Sequence, residues 1–112
     1  MEANQIRVVL LRPKQRADIM VINNTLEDFQ SLVGGNIEVV PDRLEHRKFQ
    51  SLLIVNEEGK LIGLEPNLNS GRGVLVGNIV ICSDAGEEFG SLCIKRAELL
   101  CKAYDYKRGL LK

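Results

Sequence analysis

The chain of 112 residues contains no tryptophan, a single histidine, three phenylalanines and two tyrosines, and nowhere does it carry 18 consecutive apolar residues. The last absence removes a transmembrane helix from consideration. The opening residues, MEANQIRVVLLRPK, lack the basic flank, long apolar stretch and small-residue cleavage pattern of a secretory signal, so the expected location is cytoplasmic. Charge of one sign is also missing. Fifteen Lys and Arg balance fifteen Asp and Glu, and no global field draws the chain toward nucleic acid or an anionic membrane. The lone histidine, His46, lies between Glu45 and Arg47 with no second histidine and no cysteine at ligand spacing, so the zinc signatures are absent and a solvated His46 is expected. A serine triad would have to recruit that same residue, and no G-x-S-x-G elbow is present. Three cysteines, Cys82, Cys93 and Cys101, form an odd set at irregular spacing among apolar neighbours. They read as reduced thiols acting as small core hydrophobes.

What is there is a 45% hydrophobic composition, enough for one domain over residues 1–112 without a metal or disulfide staple. Residues 6–11 read as a strand ended by Pro13, and residues 18–22 as a second strand that pairs with it. Asn24 or Thr25 stands at an N-cap position, Glu27 and Asp28 follow in the first turn, and Leu26, Phe29, Leu32 and Val33 have helical spacing. Gly34 and Gly35 stop that helix. Ile37, Val39 and Val40 make a third strand before Pro41, and residues 42–48, with Leu44 as their only apolar member, read as a solvated loop. Residues 52–55 predict a fourth strand, turned by residues 56–60 into a return at Leu61 and Ile62. Residues 63–77 hold four glycines and read as the longest loop, with one short apolar piece at residues 74–76. A buried strand over residues 78–82, a turn over 83–86, and a terminal helix from about Ile94 to Tyr106, with Ser91 in a capping position, complete the pattern. On that helix Leu99, Leu100, Ala103 and Tyr104 form the apolar stripe, while Arg96, Glu98, Lys102 and Asp105 cover the rest. The expected fold class is α+β, a mixed, mostly antiparallel sheet of five or six strands with two helices. Its opening order of strand, strand, helix, strand is compatible with a β-grasp-like arrangement.

Candidate sites are few. Glu27–Asp28, Glu57–Glu58 and Glu87–Glu88 are adjacent pairs, whose members point in different directions on a helix or strand, so none alone presents two carboxylates to one substrate. Acid–base or metal chemistry would have to draw on Glu57, Glu58, Asp84 or Glu87 from a distance. The segment Asn69, Ser70, Gly71, Arg72, Gly73 exposes backbone N–H groups beside an arginine that can grip a phosphate or carboxylate, yet it matches neither a P-loop nor a dinucleotide fingerprint. Arg43, Arg47 and Lys48 are the basic candidates for a nucleic-acid contact, without a helix-turn-helix, zinc-finger or ribonucleoprotein pattern around them.

The turn Asn56, Glu57, Glu58, Gly59, Lys60, followed by Gly63, Leu64 and Asn67, resembles a family of small uncharacterised domains encoded by bacteriophages, plasmids and other mobile elements, chiefly of Firmicutes. The likeness extends to Pro13, to Asn24, Thr25 and Leu26, to Val33, Gly34 and Gly35 with Ile37, Glu38 and Val39, to Gly77, and to Asp84, Gly86, Glu87 and Phe89. Family members often carry arginine after the asparagine matching Asn67, where this chain has Leu68, and the charged segment 43–48 is longer than usual for them. The resemblance implies a mobile-element setting and no reaction. It leads to the expectation of a non-enzymatic accessory or counter-defence binding protein that contacts a host protein or a small nucleotide-like ligand and needs no cofactor or metal. Asn67, Asn69, Arg72, Arg43, Arg47, Lys48, Glu57 and Glu58 are its candidate contacts. The alternatives are a weak nucleic-acid-binding accessory protein and an acid–base or metal-dependent enzyme. An edge strand at residues 18–22 or the last helix could also support a homodimer.

Overall fold

Three stretches of the chain, VVLL at 8–11, LLIV at 52–55 and IVIC at 79–82, have no polar residue to turn toward water. A strand alternates its side chains between two faces, so such a run is stable only where both faces are covered. The structure, a computed structural model that describes residues 1–41, 51–70 and 73–111, places these three runs at the centre of one sheet. In chain order the elements are β1 (Gln5–Leu11), β2 (Asp18–Asn23), α1 (Leu26–Val33), β3 (Ile37–Pro41), β4 (Ser51–Asn56), β5 (Pro66–Asn69), β6 (Val74–Val76), β7 (Ile79–Ala85), β8 (Glu88–Gly90) and α2 (Ile94–Lys107). The main sheet has six strands in the order β2-β1-β7-β4-β3, with β8 also paired to β7, and its pairings are antiparallel. The α+β class and the strand and helix numbers match the expectation from sequence.

The two faces of the central strands carry two cores. Val8, Leu10, Ile54, Val80 and Cys82 pack with Phe29 and Val33 of α1, and Phe89 of β8 meets Phe29 edge-on at 4.9 Å between ring centroids. Val9, Leu11, Leu53, Val55, Ile79 and Ile81 pack with Ala97, Leu100 and Tyr104 of α2 and with Leu68 of β5. Each fully buried Leu, Ile or Val contributes roughly 1.5–3 kcal/mol. That burial, and not intrinsic propensity, holds α1, since 8 residues are too few for an isolated helix. Its ends are fixed as the sequence indicates. Asp28 N–H donates to Thr25 Oγ1 at 3.2 Å, and Gly34, at φ 82°, closes the last turn by donating to Gln30 O. The Asp28 carboxylate reaches back to Asn23 N–H at 2.9 Å, two positions before the N-cap Thr25, whose N–H is the usual reciprocal partner.

Several expectations are corrected. Leu61 and Ile62 are not a returning strand: residues 57–63 are consecutive turns, with Ile62 N–H donating to Glu58 O and Leu64 N–H to Gly59 O. Both hydrogen-bonding edges of β4 are already taken by β3 and β7, so a returning strand has no place beside it. The long loop over 63–77 contains a separate two-stranded sheet, β5 against β6, anchored by the buried Leu68. The strand begun near Asn78 continues to Ala85, and the connection to β8 is the pair Gly86 and Glu87. Ser91 does not cap α2; its hydroxyl accepts from Arg7 N–H at 2.8 Å, and the N-cap is Cys93, with no side-chain cap bond. On α2, Leu100 and Tyr104 face the core while Leu99 and Ala103 are exposed. Of the cysteines only Cys82 is fully buried; Cys101 is half-buried, and Cys93 is exposed because it precedes the helix and lies off its packing face.

Candidate functional site

Asn67 is the first candidate whose surroundings decide its role. Its amide Nδ2 donates to Leu11 O at 2.9 Å and to Gly77 O at 2.7 Å, and its Oδ1 accepts from Arg108 Nη1 at 2.7 Å. Both amide protons are committed to backbone carbonyls, so this side chain ties β5 to the end of β1 and to the segment after β6. Arg108 follows α2 directly and is 3% exposed in its side chain. Nη1 also donates to Arg12 O at 2.8 Å, and Nη2 donates to Gln15 O at 2.7 Å and to Asp105 Oδ1 at 3.3 Å. Asp105 accepts in turn from Ala17 N–H at 2.8 Å. A guanidinium at a helix C-terminus meets the dipole favourably, and here it clamps the loop that joins β1 to β2. Burial lowers the Arg108 pKa, opposed by the hydrogen bond and charge of Asp105. Arg108 and Asp105 escape a reading by composition because charged residues are expected on the surface. The signal that locates them is spacing: Arg108 falls four and eight residues after Tyr104 and Leu100, and Asp105 four and eight after Cys101 and Ala97, so both prolong the packed side of α2.

The remaining motif residues form a second tie. Asn56, almost wholly buried, donates from Nδ2 to Val33 O at 3.2 Å and accepts at Oδ1 from Glu58 N–H at 2.8 Å. A β-carbon on Gly59 would stand 2.8 Å from Val76 Cγ2, and one on Gly77 would stand 2.7 Å from Leu64 Cδ1. The glycines at these two positions therefore admit the β6 side chain and the Leu64 side chain against the backbone.

Above this tie lies a pocket of about 200 Å³. Its lining comes from Glu38 and Val40 of β3, Val55 and Asn56 of β4, Glu57, Gly59, Lys60 and Leu61 of the turns, and the three residues of β6. Val40, Val55 and Leu75 line it with apolar side chains, and among the described residues its lining carries two carboxylates, Glu38 and Glu57, against one ammonium, Lys60. Leu61 of that lining stands 85% exposed, and Val74 is exposed across from it. Glu57 thus lines a concavity, while Glu58, also exposed, does not. Asn69 is exposed at the end of β5, opposite Val74. Arg72, Arg43, Arg47 and Lys48 lie outside the described residues, as do His46 and the loop read at 42–48. A broader concavity of about 380 Å³ sits at the end of α1 between Pro13, Leu32, Gly34, Leu64 and Asn78, with Glu65 of its wall paired to Lys14 at 3.2 Å.

The four acids considered for acid–base chemistry do not converge. Asp84 and Glu87 belong to the β7–β8 hairpin, next to the Ser83–Ser51 pair at the start of β4, whereas Glu57 and Glu58 follow the end of that strand, about 20 Å along it. Among the described residues, no group of three or more His, Cys, Asp and Glu side chains is placed to hold a metal ion. Burial pushes the Cys82 thiol up to about 12, with Asp84 adding to the rise, and the Cys101 thiol up to about 11, with Asp105 adding most after burial. Both are protonated near neutrality and are poor nucleophiles there. Among the described residues, no helix is long and apolar enough to cross a membrane.

The architecture is that of an α+β domain, with one antiparallel sheet carrying a helix on each face and a small accessory hairpin on one of them. A family model described as a domain of unknown function, DUF3846, matches residues 6–105, and the chain belongs to that family. No curated protein and no solved structure matches the chain.

Proposed function

We propose that the chain is a non-enzymatic binding protein, an accessory or counter-defence factor of a mobile element, which engages a host protein through the pocket between β3, the turns at 57–63 and β6. The observation that carries this reading is the pocket's construction: apolar side chains, a protruding Leu61, and, among the described residues, a lining with more carboxylate than ammonium. At about 200 Å³ it is smaller than the 300–1,000 Å³ typical of small-molecule sites, and it suits one inserted side chain better than a whole nucleotide. Among the described residues, two carboxylates against Lys60 also disfavour a phosphate and favour a partner segment that pairs an apolar anchor with a basic neighbour. The mobile-element setting comes from the family resemblance alone.

The test is capture of host proteins by the wild-type chain and by two surface variants, Leu61→Glu and Glu57→Lys, alongside calorimetric titration of a nucleotide panel. The reading expects a protein retained stoichiometrically by the wild type, lost with Leu61→Glu and weakened with Glu57→Lys, and no heat from nucleotides. A partner held equally by all three forms, or a nucleotide that binds while no protein does, overturns it.

A further inference from the structure

We propose that the outer edge of β2 pairs with β2 of a second copy of this chain, in a two-fold antiparallel register centred on Met20. The alternation of hydrogen bonding along β2 is fixed by its neighbours. Asn24 N–H donates to Asn4 O, which continues the β1–β2 ladder, so Asp18, Met20 and Ile22 address β1. The odd-numbered residues address the outside, as Asn23 shows by donating its N–H to Asp28 Oδ2 at 2.9 Å. Ala17 N–H is likewise taken, by Asp105 Oδ1 at 2.8 Å. Between these two occupied groups stand Ile19 and Val21, whose outward N–H and C=O groups find no partner among the described residues.

Two such residues define one register. Ile19 opposite Val21 of the second copy, and Val21 opposite Ile19, satisfies all four outward groups of each strand, whereas a shift by two in either direction calls on Ala17 or Asn23, whose N–H groups are spent. The side chains agree: Ile19 and Val21 are 38% and 45% exposed on the face shared with α2, and this pairing sets each against the other across the two-fold. The edge carries no proline, lysine or bulge of the kind that blunts open strands, in contrast to β3, which ends on Pro41.

Charge selects a second copy in this orientation. The chain entering β2 brings Arg12, Lys14 and Arg16 against the one acid Asp18, which Arg12 pairs at 2.6 Å; Arg16 stays 69% exposed in its side chain although it reaches Asp105 at 3.6 Å, and the chain leaving β2 brings Glu27 and Asp28 in the first turn of α1. Antiparallel pairing sets the basic end of one strand beside the acidic end of the other, twice; parallel pairing would set like charges together.

The experiment is sedimentation equilibrium of the full chain over about 1 to 300 μM. The wild type is expected to dimerise, and Val21→Lys, at an exposed position that leaves the fold intact by far-UV circular dichroism, to raise the dissociation constant about tenfold or more. Arg16→Glu is expected to weaken the dimer and Arg16→Glu with Glu27→Arg to restore it. In a Cys93→Ser background, Met20→Cys is expected to form a disulfide-linked dimer on mild oxidation, because a residue facing itself in a non-hydrogen-bonded pair has Cα atoms about 4.5 Å apart. A monomer throughout the range overturns the proposal, as does a dimer indifferent to Val21→Lys or one that does not cross-link through position 20.

Discussion

Removing the Arg108 guanidinium is the sharpest test of how this fold is tied. In Arg108→Ala the Gln15 carbonyl and Asn67 Oδ1 lose their donor, the Arg12 carbonyl is left with Gln15 N–H alone at 3.2 Å, and the Asp105 carboxylate, 6% exposed, keeps only Ala17 N–H and an Arg16 contact at 3.6 Å. Breaking one side of a buried ion pair costs about 3–5 kcal/mol. Against the roughly 5–15 kcal/mol of a typical domain, that is a large fraction. With a urea m-value of about 1–3 kcal/mol/M, the unfolding midpoint is expected to fall by about 2 M. The chain has no tryptophan, so the transition is best followed by far-UV circular dichroism. Arg108→Lys keeps the charge without the fork and is expected to recover less than half of the loss. Asp105→Leu with Arg108→Met removes both charges and is expected to be less damaging than Arg108→Ala alone, since no carboxylate is left buried and unpaired. A loss below about 1 kcal/mol for Arg108→Ala, with the m-value unchanged, would refute the clamp.

Two of the glycines at positive φ, Gly34 at 82° and Gly77 at 75°, should respond by different amounts. Gly34→Ala has open space around its new β-carbon and is expected to cost about 1 kcal/mol from backbone strain alone, whereas Gly77→Ala adds a clash at 2.7 Å with Leu64 and is expected to cost about 2–3 kcal/mol, both read by urea unfolding. Thr25→Ala removes the α1 cap and is expected to lower stability by about 1 kcal/mol in the same assay. Cys82, raised by burial to about 12, holds its proton where the unfolded thiol has already ionised. Its stabilising contribution is complete below pH 9 and is lost as pH climbs toward 12, about 2 kcal/mol by pH 10.5, so the alkaline limb of a stability–pH curve should be shallower in Cys82→Ala. Under native conditions near neutral pH, a thiol reagent is expected to modify Cys93 first and to reach Cys82 only on unfolding, as peptide mapping would report.

The parts of the fold that the sequence makes legible are those with one dominant local cause. A run of four apolar residues must be covered on both sides, and VVLL, LLIV and IVIC are the three central strands. A threonine cap and a left-handed glycine bracket α1 at the expected residues. Legibility fails where a distant partner decides. Leu61 and Ile62 are apolar after a glycine turn, yet the edges of β4 are filled by β3 and β7, which arrive from elsewhere in the chain. Ser91 stands where a cap belongs, but Arg7 N–H, 84 residues away, claims its hydroxyl. Leu99 and Leu100 are alike in composition, and only the direction from which the sheet approaches α2 separates the exposed one from the buried one.

The same distinction divides the candidate site. Of the residues that carry the family likeness in the centre of the chain, Asn56, Gly59, Leu64, Asn67 and Gly77 turn inward and bond or pack against one another's neighbours. Their chemistry is consumed in joining β4, α1, β1 and the β5–β6 hairpin, and Asn67 has no amide proton left for a ligand. A binding surface must then be sought among residues that this scaffold presents without using: Glu57, Lys60 and Leu61 around the pocket, and Ile19 and Val21 on the open edge of β2. The two surfaces lie on different edges of one sheet, the first beside β3 and the second on β2, with β1, β7 and β4 between them. Pairing through β2 would leave both pockets of a dimer free, on the far edges of a continuous sheet, so a partner could be engaged twice without competition from the dimer contact. Loss of the dimer by Val21→Lys should accordingly weaken a multivalent partner while leaving the affinity of each pocket for a monovalent one unchanged.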